Sequence, residues 1–570
     1  MTLIPDNPLI VQSDHTILVE VASPRYAGAR DALLGFAELL KSPEHVHTYR
    51  ITPLSIWNAC AAGHTADAMI GELREYAKYP VPQQVETSVR DFAGRYGRVR
   101  LVRDGAALRL ECADAALAEQ IARHRDVAPL LGRRAGAAFE VAAVVRGRLK
   151  QALVKFGWPA EDLAGYEAGE ALAIALRERS GEGLAFSLRE YQTAAADAFH
   201  AAGADSGGSG VVVLPCGAGK TIVGLACMAR VSASTLILTT GVTAAQQWVN
   251  ELLSKTTLAP DDIGVYHGAR KEIRPVTVAT YQILTHRRAR TETFTHLGLF
   301  DERNWGLIIY DEVHLLPAPV FQITAGLQAR RRLGLTATLV REDGREEDVF
   351  ALIGPKKADV PWKVLERQGW IAKAQCTEIR VAMADELRMQ YALAEERHRF
   401  RVAAENLAKT DVVRRLLARH ADEPALVIGM YVEQLRDLAA ELGVPVLTGA
   451  TSQRERDRRY AEFRAGTLPV LAVSKVANFA VDLPDAAVAI QISGTFGSRQ
   501  EEAQRLGRIL RPKPGSNQAH FYSIVSRDTV EQDFALKRQL FLCEQGYSYN
   551  IVDEQPVSAD STRPALRLIR

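Results

Sequence analysis

The chain has 570 residues, with 70 Lys and Arg against 68 Asp and Glu, so its net charge is +2. Hydrophobic residues make up 47% of the chain and charged residues 24%, the balance of an ordinary globular protein. This composition excludes a strongly basic or acidic chain, so a polyanionic partner would have to bind local clusters of basic side chains. At ~150 residues per domain, we expect three or four domains.

Cysteine usage and hydropathy exclude further classes of protein. The 6 cysteines lie far apart and form no CxxC pair, which argues against a zinc site or a disulfide framework. The chain starts with MTLIPDNPLIVQSD, which lacks the pattern of a signal peptide, and no apolar run approaches the ~20 residues of a membrane span. We therefore expect a cytoplasmic protein without a membrane partner.

Two α+β regions are predicted first along the chain, over 1–80 and 81–183. The first mixes a short strand, over 16–20, with helical segments. In the second, two alternating runs flank Asp104 and Gly105, a strong signal for a β-hairpin. Helices followed by a hairpin indicate a winged-helix-like unit, and a plain α+β module that docks on a neighbour is an equal alternative. The helical stretches precede the hairpin, at 53–64, 65–78 and 82–96.

The next two blocks of the chain, 184–360 and 361–553, alternate short apolar strands with helices. This alternation predicts a doubly wound parallel sheet in each block. The fold class is therefore α/β, with two tandem parallel-sheet lobes preceded by an α+β N-terminal region and followed by a flexible tail over 554–570. The strands are predicted at 211–215, 235–238, 276–280, 307–310 and 332–335, and again at 426–430, 445–447, 470–473 and 488–492.

A turn of small residues, LPCGAGKT over 214–221, separates the first of these strands from a helix. This is the geometry of a phosphate-binding loop, in which backbone N–H groups meet phosphates at the positive end of a helix dipole. Lys220 is expected to reach the β- and γ-phosphates of ATP, and Thr221 to ligate Mg²⁺. The full pattern GxxxxGK[ST] requires glycine at Leu214, so the match is incomplete. The predicted ATP-binding loop comprises Pro215, Cys216, Gly217, Ala218, Gly219, Lys220 and Thr221.

A second motif, IIYDEVH over 308–314, ends an apolar strand with two carboxylates. Functional groups of parallel sheets collect at the carboxyl ends of strands. Asp311 is predicted to hold Mg²⁺, directly or through water, and Glu312 to orient and polarise the attacking water. A solvated turn is the alternative, and the phosphate loop upstream disfavours it.

A third motif, QRLGRILR over 504–511, lies in the second block. Arg505, Arg508 and Arg511 share helical spacing and therefore one face. Triphosphate hydrolysis builds negative charge on the γ-phosphoryl oxygens, and arginine from another domain stabilises that charge. We therefore expect ATP to lie between two lobes, with Arg508 and Arg511 as catalytic residues. A basic solvated helix face is the alternative.

In these motifs the chain resembles superfamily 2 helicases, and within them the XPB family of DNA repair and transcription helicases. LREYQ over 188–192 is similar to the adenine-contacting stretch of that family, which implies ATP-binding roles for Arg189 and Gln192. LPCGAGKT matches the family's form of the phosphate loop, including the missing glycine, and DEVH matches its second motif. The resemblance continues in GLTATLVRED over 334–343, VSKVANFAVDLP over 473–484 and QISGTFGSRQEEAQRLGRILR over 491–511.

The resemblance implies an ATP-driven motor with two RecA-like lobes that moves on DNA with 3′-to-5′ polarity and works in DNA repair. It implies a damage-recognition-like domain over 81–183 and a thumb-like helical insertion in the second lobe. The charged helix predicted over 386–407 is the candidate insertion, and an ordinary interlobe helix is its alternative. The family's long tails are absent, which favours a bacterial relative in the cytosol or nucleoid. In VSKVANFAVDLP, which resembles the family's fifth motif, Ala477 and Asn478 replace the usual Gly-Asp, whereas Asp482 is retained.

Residues that hold DNA, or couple it to ATP, are predicted at strand ends and in the family motifs. Hydroxyl and amide groups can bind DNA phosphates without reading sequence, although a solvated loop is an equal alternative for each residue. The predicted DNA contacts are Thr240, Thr280, Gln282 and Thr448. The resemblance assigns strand separation to Arg341, Glu342 and Asp343. The predicted coupling residues are Thr336, Thr338, Asp482, Arg505 and His314, the last with a hydrogen bond to Gln504.

The expected function is that of an ATP-dependent DNA helicase with ATP and Mg²⁺ as cofactors and forked or junction DNA as partner. One alternative is a double-strand translocase that uses the same motor without processive unwinding. Another is an ATP-gated scaffold that recruits a repair nuclease. An RNA helicase is disfavoured by the resemblance at 341–343 and in the N-terminal region.

Overall fold

The computed structural model of the protein contains four β-sheets with helices packed on them. The residues that it describes are 3–41, 45–105, 107–204, 207–215, 217–286, 295–328, 330–337, 346–360, 365–366, 368–370, 373–474, 486–494, 518–544, 549–554 and 567–568. Among these residues, none of the helices combines the length and the apolar character needed to cross a bilayer.

The first sheet is antiparallel and has one buried face. Ile17 and Val19 alternate with half-buried neighbours, which is the pattern of a strand with one face in the core. Four helices fill that core, at Tyr26–Leu33, Pro53–Ala61, Ala66–Tyr76 and Gln83–Arg95. The strands pair in the order β1-β2-β4-β3, with β1 at Leu9–Val11, β2 at Thr16–Glu20, β3 at Glu38–Lys41 and β4 at Val46–Arg50.

The second sheet contains the predicted hairpin, which is confirmed. Its two strands pair antiparallel around Asp104, and Gly105 has φ 65°, the left-handed conformation that such a tight turn requires. Helices Ala115–Arg123 and Arg146–Phe156 pack on this sheet. Its order is β7-β8-β6-β5-β9, with β5 at Val99–Asp104, β6 at Ala107–Cys112, β7 at Arg134–Ala135, β8 at Ala138–Val141 and β9 at Ala160–Leu163.

The winged-helix-like unit does not form. Val85 and Val89 of helix Gln83–Arg95 are buried in the core of the first sheet, together with the helices before it. The hairpin instead contributes Leu101 and Leu110 to a separate core. The sequence pattern of helices followed by a hairpin therefore spans two hydrophobic cores, because the apolar face of the last helix points away from the hairpin.

The third sheet is wholly parallel and forms the first of two α/β lobes. Helices lie between its strands at Lys220–Val231, Val242–Lys255, Tyr281–Leu284, Ala318–Gly326 and Glu346–Leu352, and helix Glu190–His200 precedes the sheet. The strand order is β12-β13-β11-β14-β15-β10-β16. The strands are β10 (Ser209–Val213), β11 (Thr235–Thr239), β12 (Ile263–Tyr266), β13 (Val276–Thr280), β14 (Leu307–Asp311), β15 (Arg331–Thr336) and β16 (Lys356–Asp359).

The fourth sheet has seven parallel strands and one antiparallel edge strand, in the order β19-β20-β18-β21-β22-β17-β23-β24. Its strands are β17 (Lys373–Val381), β18 (Ala425–Gly429), β19 (Val446–Leu447), β20 (Val470–Ser474), β21 (Val488–Gln491), β22 (Gln518–Ser526), β23 (Tyr549–Asp553) and β24 (Arg567–Leu568). Its helices are Asp385–Leu393, Glu396–Ala404, Ala408–Arg419, Val432–Leu442, Gln453–Arg464 and Val530–Glu544. Two parallel-sheet lobes after an α+β region confirm the predicted α/β fold class.

The helix predicted over 386–407 is two helices. Ala394 has φ −68° and ψ 142°, so the chain is extended between Asp385–Leu393 and Glu396–Ala404. The first helix buries none of its residues, whereas the second buries Phe400, whose ring meets Phe534 edge-on with 5.2 Å between centroids. The prediction of one continuous helix is therefore wrong, and the thumb-like role remains a prediction.

A buried cluster of charges joins the second sheet to the first lobe. Asp162 on β9 accepts from Arg146 at 2.7 Å and from Lys150 at 2.8 Å. Burial alone would raise the pKa of Asp162, but Lys150 and Arg146 hold it well below its usual range. The guanidinium of Arg332 on β15 lies over the ring of Tyr166, and the guanidinium of Arg146 lies over the same ring. Side chains of both units therefore meet in one buried network.

Replacing Asp162 with asparagine should destabilise the protein strongly. The Asp162→Asn variant leaves two buried cations without their counter-charge, which typically costs ~3–5 kcal/mol. The exposed pair of Asp104 and Arg109, 3.1 Å apart, is the matched control, and Asp104→Asn should cost less than ~1 kcal/mol. Thermal unfolding at neutral pH compares the two, and equal shifts in apparent Tm would contradict the assigned role of the cluster.

Candidate nucleotide-binding site

The strand order of the first lobe brings three motif ends together. β15 lies between β10 and β14, so the ends of the three strands are neighbours. Val213 pairs with Thr336, and Asp311 pairs with Leu335. The predicted phosphate loop, the acidic pair and Thr336 therefore share the carboxyl edge of one sheet, the edge at which α/β proteins bind ligands.

The loop after β10 has the backbone that its glycines permit. Gly217 and Gly219 have φ 82° and 80°, in the left-handed region, and Lys220 then begins helix Lys220–Val231. A Cβ on Gly219 would lie 2.6 Å from Nε2 of Gln192, so a side chain there would displace Gln192 and would be strained at this φ. Leu214 is fully buried and its N–H donates to the carbonyl of Thr336 at 2.9 Å. The position at which the complete pattern has glycine is thus a core position in this chain.

Lys220 and Glu312 form an ion pair across the loop. Lys220 Nζ donates to Glu312 Oε1 at 2.6 Å, and the two side chains are only 12% and 16% exposed. Burial opposes the ionised form of Glu312, but the Lys220 ammonium outweighs it and holds the pKa of Glu312 below its usual value. Glu312 also has φ 50° and ψ 57°, a left-handed conformation that costs a non-glycine residue energy. Strain of this kind is concentrated at functional sites.

Asp311 is held by two aromatic residues. Trp248 Nε1 donates to its carboxylate Oδ2 at 2.9 Å, and the Tyr281 hydroxyl donates to its main-chain carbonyl at 2.9 Å. Burial, followed by the neighbouring charge of Glu312, raises the pKa of Asp311 to about 6. A cation beside Asp311 would oppose both effects.

Trp248 is a site residue that the sequence pattern does not predict. The residue lies on helix Val242–Lys255 with Ala245 and Leu252, which are buried at helical spacing, so its pattern is that of a core residue. Its ring occupies space that Gly224 leaves open, because a Cβ there would lie 2.5 Å from Cη2 of Trp248. Only the three-dimensional contact shows that its indole N–H donates a hydrogen bond to Asp311.

His314 connects the acidic pair to β15. Its Nδ1 lies 2.6 Å from the hydroxyl of Thr336 and 3.5 Å from Oε2 of Glu312. These contacts place His314 beside Glu312 and join it to Thr336, two of the predicted coupling residues. The predicted hydrogen-bond partner Gln504 lies outside the described residues.

The two residues predicted to bind ATP ahead of the loop are engaged within the protein. Gln192 is buried, and its Nε2 donates to the carbonyl of Ala218 at 3.1 Å, which also accepts from Tyr191 at 2.7 Å. Gln192 therefore supports the phosphate loop through one N–H of its side-chain amide. Arg189 donates to the Tyr191 hydroxyl and its guanidinium lies 4.3 Å from the ring centroid of Trp370.

The residues predicted to hold Mg²⁺ offer suitable donors. Thr221 is the second residue of the helix after the loop and contributes a hydroxyl, and Asp311 contributes a buried carboxylate. Both provide oxygen, the donor that Mg²⁺ prefers. The raised pKa of Asp311 marks a carboxylate whose ionised form a cation would stabilise.

The predicted DNA contacts divide by exposure. Gln282 is exposed, and its amide bonds the carbonyl of Thr240, which joins two neighbouring strand ends. Thr280 and Thr448 are buried, so their hydroxyls do not face a solvent-accessible groove in this arrangement. Thr240 and Gln282 are therefore the more accessible to a phosphate, and all four contacts stay predictions.

Ten predicted site residues lie outside the described part of the chain, so their predictions stand untested. They are Cys216, Thr338, Arg341, Glu342, Asp343, Asp482, Gln504, Arg505, Arg508 and Arg511.

Three family descriptions match separate parts of the chain. "ERCC3/RAD25/XPB C-terminal helicase" matches 365–567, and "Type III restriction enzyme, res subunit" matches 185–341. "Helicase conserved C-terminal domain" matches 9–136. The last description falls on the two N-terminal sheets of this chain, despite its name.

Similar proteins cover almost the whole chain. "DNA 3′-5′ helicase XPB" of Kineococcus radiotolerans is 57% identical, over 97% of this chain and 97% of its own length. The protein of the same name from Mycobacterium tuberculosis is 56% identical, over 96% of this chain and 98% of its own length. "General transcription and DNA repair factor IIH helicase/translocase subunit XPB" of Antonospora locustae is 34% identical, over 96% of this chain and 81% of its own.

Replacing Trp248 with phenylalanine should change how triphosphate hydrolysis depends on pH. Asp311 must be ionised to bind a cation, so kcat/KM should fall as the pH drops below about 6. The hydrogen bond from Trp248 favours the ionised form of Asp311. Its loss raises the pKa, and the acidic limb of the profile should move to higher pH by ~1 pH unit, since a bond to a charged group contributes ~1.5–3 kcal/mol.

Trp305 provides a matched control for this variant. It is another buried tryptophan of the same lobe, and its Nε1 donates to the carbonyl of Leu299 at 3.0 Å, away from the site. Trp305→Phe should leave the acidic limb in place. A profile unchanged in Trp248→Phe would refute the role of its hydrogen bond to Asp311.

Proposed function

The chain belongs to the XPB family of superfamily 2 helicases, and we propose that it hydrolyses ATP at the Lys220–Glu312 pair to move on DNA. As a member of that family it is an ATP-dependent DNA helicase of 3′-to-5′ polarity, and a role in DNA repair fits the relatives' names. One observation carries the assignment of the site: a loop lysine and a strand-end glutamate 2.6 Å apart at the edge of a parallel sheet. We propose that it acts in the bacterial cytosol or nucleoid.

Exchange of partners by Lys220 is the first step of the proposed mechanism. Without nucleotide, Lys220 pairs with Glu312. The β- and γ-phosphates of ATP carry more negative charge than one carboxylate, so they would attract Lys220 away from Glu312. Burial then dominates at Glu312 and raises its pKa, which makes it a better acceptor for a proton of the attacking water. Binding of ATP would thus prepare the base that acts on it.

Mg²⁺ would enter the site together with ATP, held by the hydroxyl of Thr221 and the carboxylate of Asp311. When bound, it would neutralise charge that builds on the β- and γ-phosphates. Trp248 would orient the carboxylate that holds the cation by its hydrogen bond to Oδ2. The chain's own contribution is therefore a fixed oxygen donor in a buried setting.

Arg508 and Arg511 of the second lobe are proposed to complete the site when the lobes close on ATP. Arg505, Gln504 and Asp482 would then couple closure to DNA, together with His314 and Thr336 of the first lobe. We propose that DNA phosphates lie along Thr240 and Gln282, and that 341–343 separates the strands. The damage-recognition-like role of 81–183 and the thumb-like role of 386–407 belong to the same proposal, as do the domain boundaries.

Removal of either member of the ion pair should abolish DNA-stimulated ATP hydrolysis. Lys220→Ala removes the phosphate ligand, and Glu312→Gln removes the base while keeping the shape of the side chain. A lost general base typically costs ~10²–10⁴-fold in rate. Phosphate release at saturating DNA measures the effect, and nucleotide binding should persist in Glu312→Gln but weaken in Lys220→Ala.

A second lysine–glutamate pair of the same lobe serves as the control. Lys255 and Glu251 form an ion pair one helical turn apart on helix Val242–Lys255, away from the loop. Lys255→Ala and Glu251→Gln should retain the parent ATPase activity. Full activity in Lys220→Ala or in Glu312→Gln would eliminate this pair as the hydrolytic centre.

Titration of the ATPase with single-stranded, duplex and forked DNA should identify the substrate. A helicase that opens junctions should be stimulated most by forked DNA and should displace a labelled strand. A double-strand translocase should respond to duplex DNA and displace a triplex-forming strand without unwinding. If forked DNA stimulates no more than either simple substrate, the junction assignment fails.

A repair nuclease as partner is the remaining part of the proposal. If the protein is a scaffold gated by ATP, the Lys220→Ala variant should still bind that nuclease while hydrolysing no ATP. Loss of binding in this variant would instead tie the partner to the working motor.

A further inference from the structure

Two histidines and a glutamate meet in the second lobe, outside any motif used above. His420 follows helix Ala408–Arg419, Glu423 lies three residues on, and His520 lies on β22. One potential ligand atom from each residue falls within 4.8 Å of the other two. His420 is buried, whereas the side chain of Glu423 is 36% exposed, so the cluster is accessible from solvent on the glutamate's side.

The backbone that carries these side chains is firmly held. The N–H of His420 donates to the carbonyl of Leu416, and the N–H of Glu423 donates to the carbonyl of His420, which forms a tight turn. His520 pairs in register with Val488 on one side of β22 and with Gln375 on the other. Metal sites require donors fixed by rigid elements, and this cluster has them.

The contacts of the His420 ring allow two proton arrangements. Nδ1 lies 2.9 Å from Oε1 of Glu423, and Nε2 lies 2.8 Å from the hydroxyl of Tyr522. With the proton on Nδ1, the ring donates to Glu423 and accepts from Tyr522. With the proton on Nε2, the ring donates to Tyr522, and the lone pair of Nδ1 faces a carboxylate, an arrangement that a cation between them would stabilise.

We propose that His420, Glu423 and His520 bind a divalent transition-metal ion, with Zn²⁺ as the fitting probe. Two imidazoles and one carboxylate are a donor set of three-ligand zinc sites, and the imidazoles disfavour Mg²⁺ and Ca²⁺. Tyr522 is the outer partner that fixes the ring of His420, as such ligands require. The site contains no cysteine, which is why cysteine spacing did not predict it.

The location separates this ion from the one that accompanies ATP. β18 begins at Ala425, directly after Glu423, and His520 lies near the start of β22. The cluster therefore lies at the amino edge of the second parallel sheet, whereas nucleotide sites use the carboxyl edge. The ion would join the end of helix Ala408–Arg419 to β22 and stabilise the lobe. Arg419 lies near Tyr522 and opposes a cation, and the carboxylate of Glu423 offsets that charge.

Zn²⁺ titration of the metal-stripped full-length protein tests the site. We expect one equivalent to bind and the apparent Tm to rise with Zn²⁺ concentration, because the ion binds the folded state. Glu423→Gln and His520→Ala should lose at least ~100-fold in affinity, and Tyr522→Phe ~10–100-fold, as expected for a lost outer hydrogen bond. Co²⁺ should show the visible absorption of a nitrogen- and oxygen-bound ion.

The exposed His398 of the same lobe provides the control, and His398→Ala should bind Zn²⁺ like the parent. Circular dichroism verifies that each variant folds; Glu423→Gln removes only a charge and stays informative if His520→Ala does not fold. Failure of the parent protein to bind one equivalent would overturn the proposal. So would an affinity that is the same in the parent and in folded Glu423→Gln.

Discussion

The adjacency of three strand ends is the constraint on which the site depends. In the first lobe, β15 separates β10 from β14, so the glycine loop, Thr336 and the acidic pair meet at one edge. Connections between neighbouring parallel strands are almost always right-handed crossovers, which return the chain to the same end of the sheet. Lys220 can reach Glu312, 92 residues away in sequence, because β10 and β14, the strands that precede them, lie on either side of β15.

Much of this arrangement was predictable from local sequence. The strands over 276–280 and 16–20 have the predicted bounds, and most of the others agree to within two residues, because short apolar runs between polar turns leave little choice. The glycine loop and the Asp-Glu pair were predictable for a chemical reason, since phosphate and metal binding require those residue types.

What escaped prediction depends on contacts between distant segments. Trp248 has the pattern of a core residue, and its bond to Asp311 exists only in the folded sheet. Residues 386–407 contain no proline or glycine to mark the break at Ala394. The helix before the hairpin buries Val85 and Val89 in the core of the first sheet, and this choice of partner depends on tertiary packing. The cluster of His420 and His520 is equally invisible, because 99 residues separate the two ligands in sequence.

Each of the two lobes contains a lysine–glutamate ion pair beside a parallel strand. The two pairs differ in how far their side chains are exposed to solvent. In the second lobe, Lys409 donates to both carboxylate oxygens of Glu531 at 2.8 Å and to the carbonyl of Ile492 at 2.9 Å, directly after β21. Those two side chains are 1% and 2% exposed, so all three ammonium donors are used and no ligand can enter. Breaking such a pair leaves a buried charge and is costly.

The pair in the first lobe is only partly enclosed, and Glu312 has a strained backbone. In the proposed mechanism a polyanion therefore replaces Glu312 as the partner of Lys220, and the partly enclosed carboxylate that loses its counter-charge becomes the better proton acceptor. The same two residue types thus form a structural anchor where they are sealed and an exchangeable contact where a glycine loop keeps one side open. Burial and access, rather than residue identity, separate the proposed hydrolytic pair from the structural one.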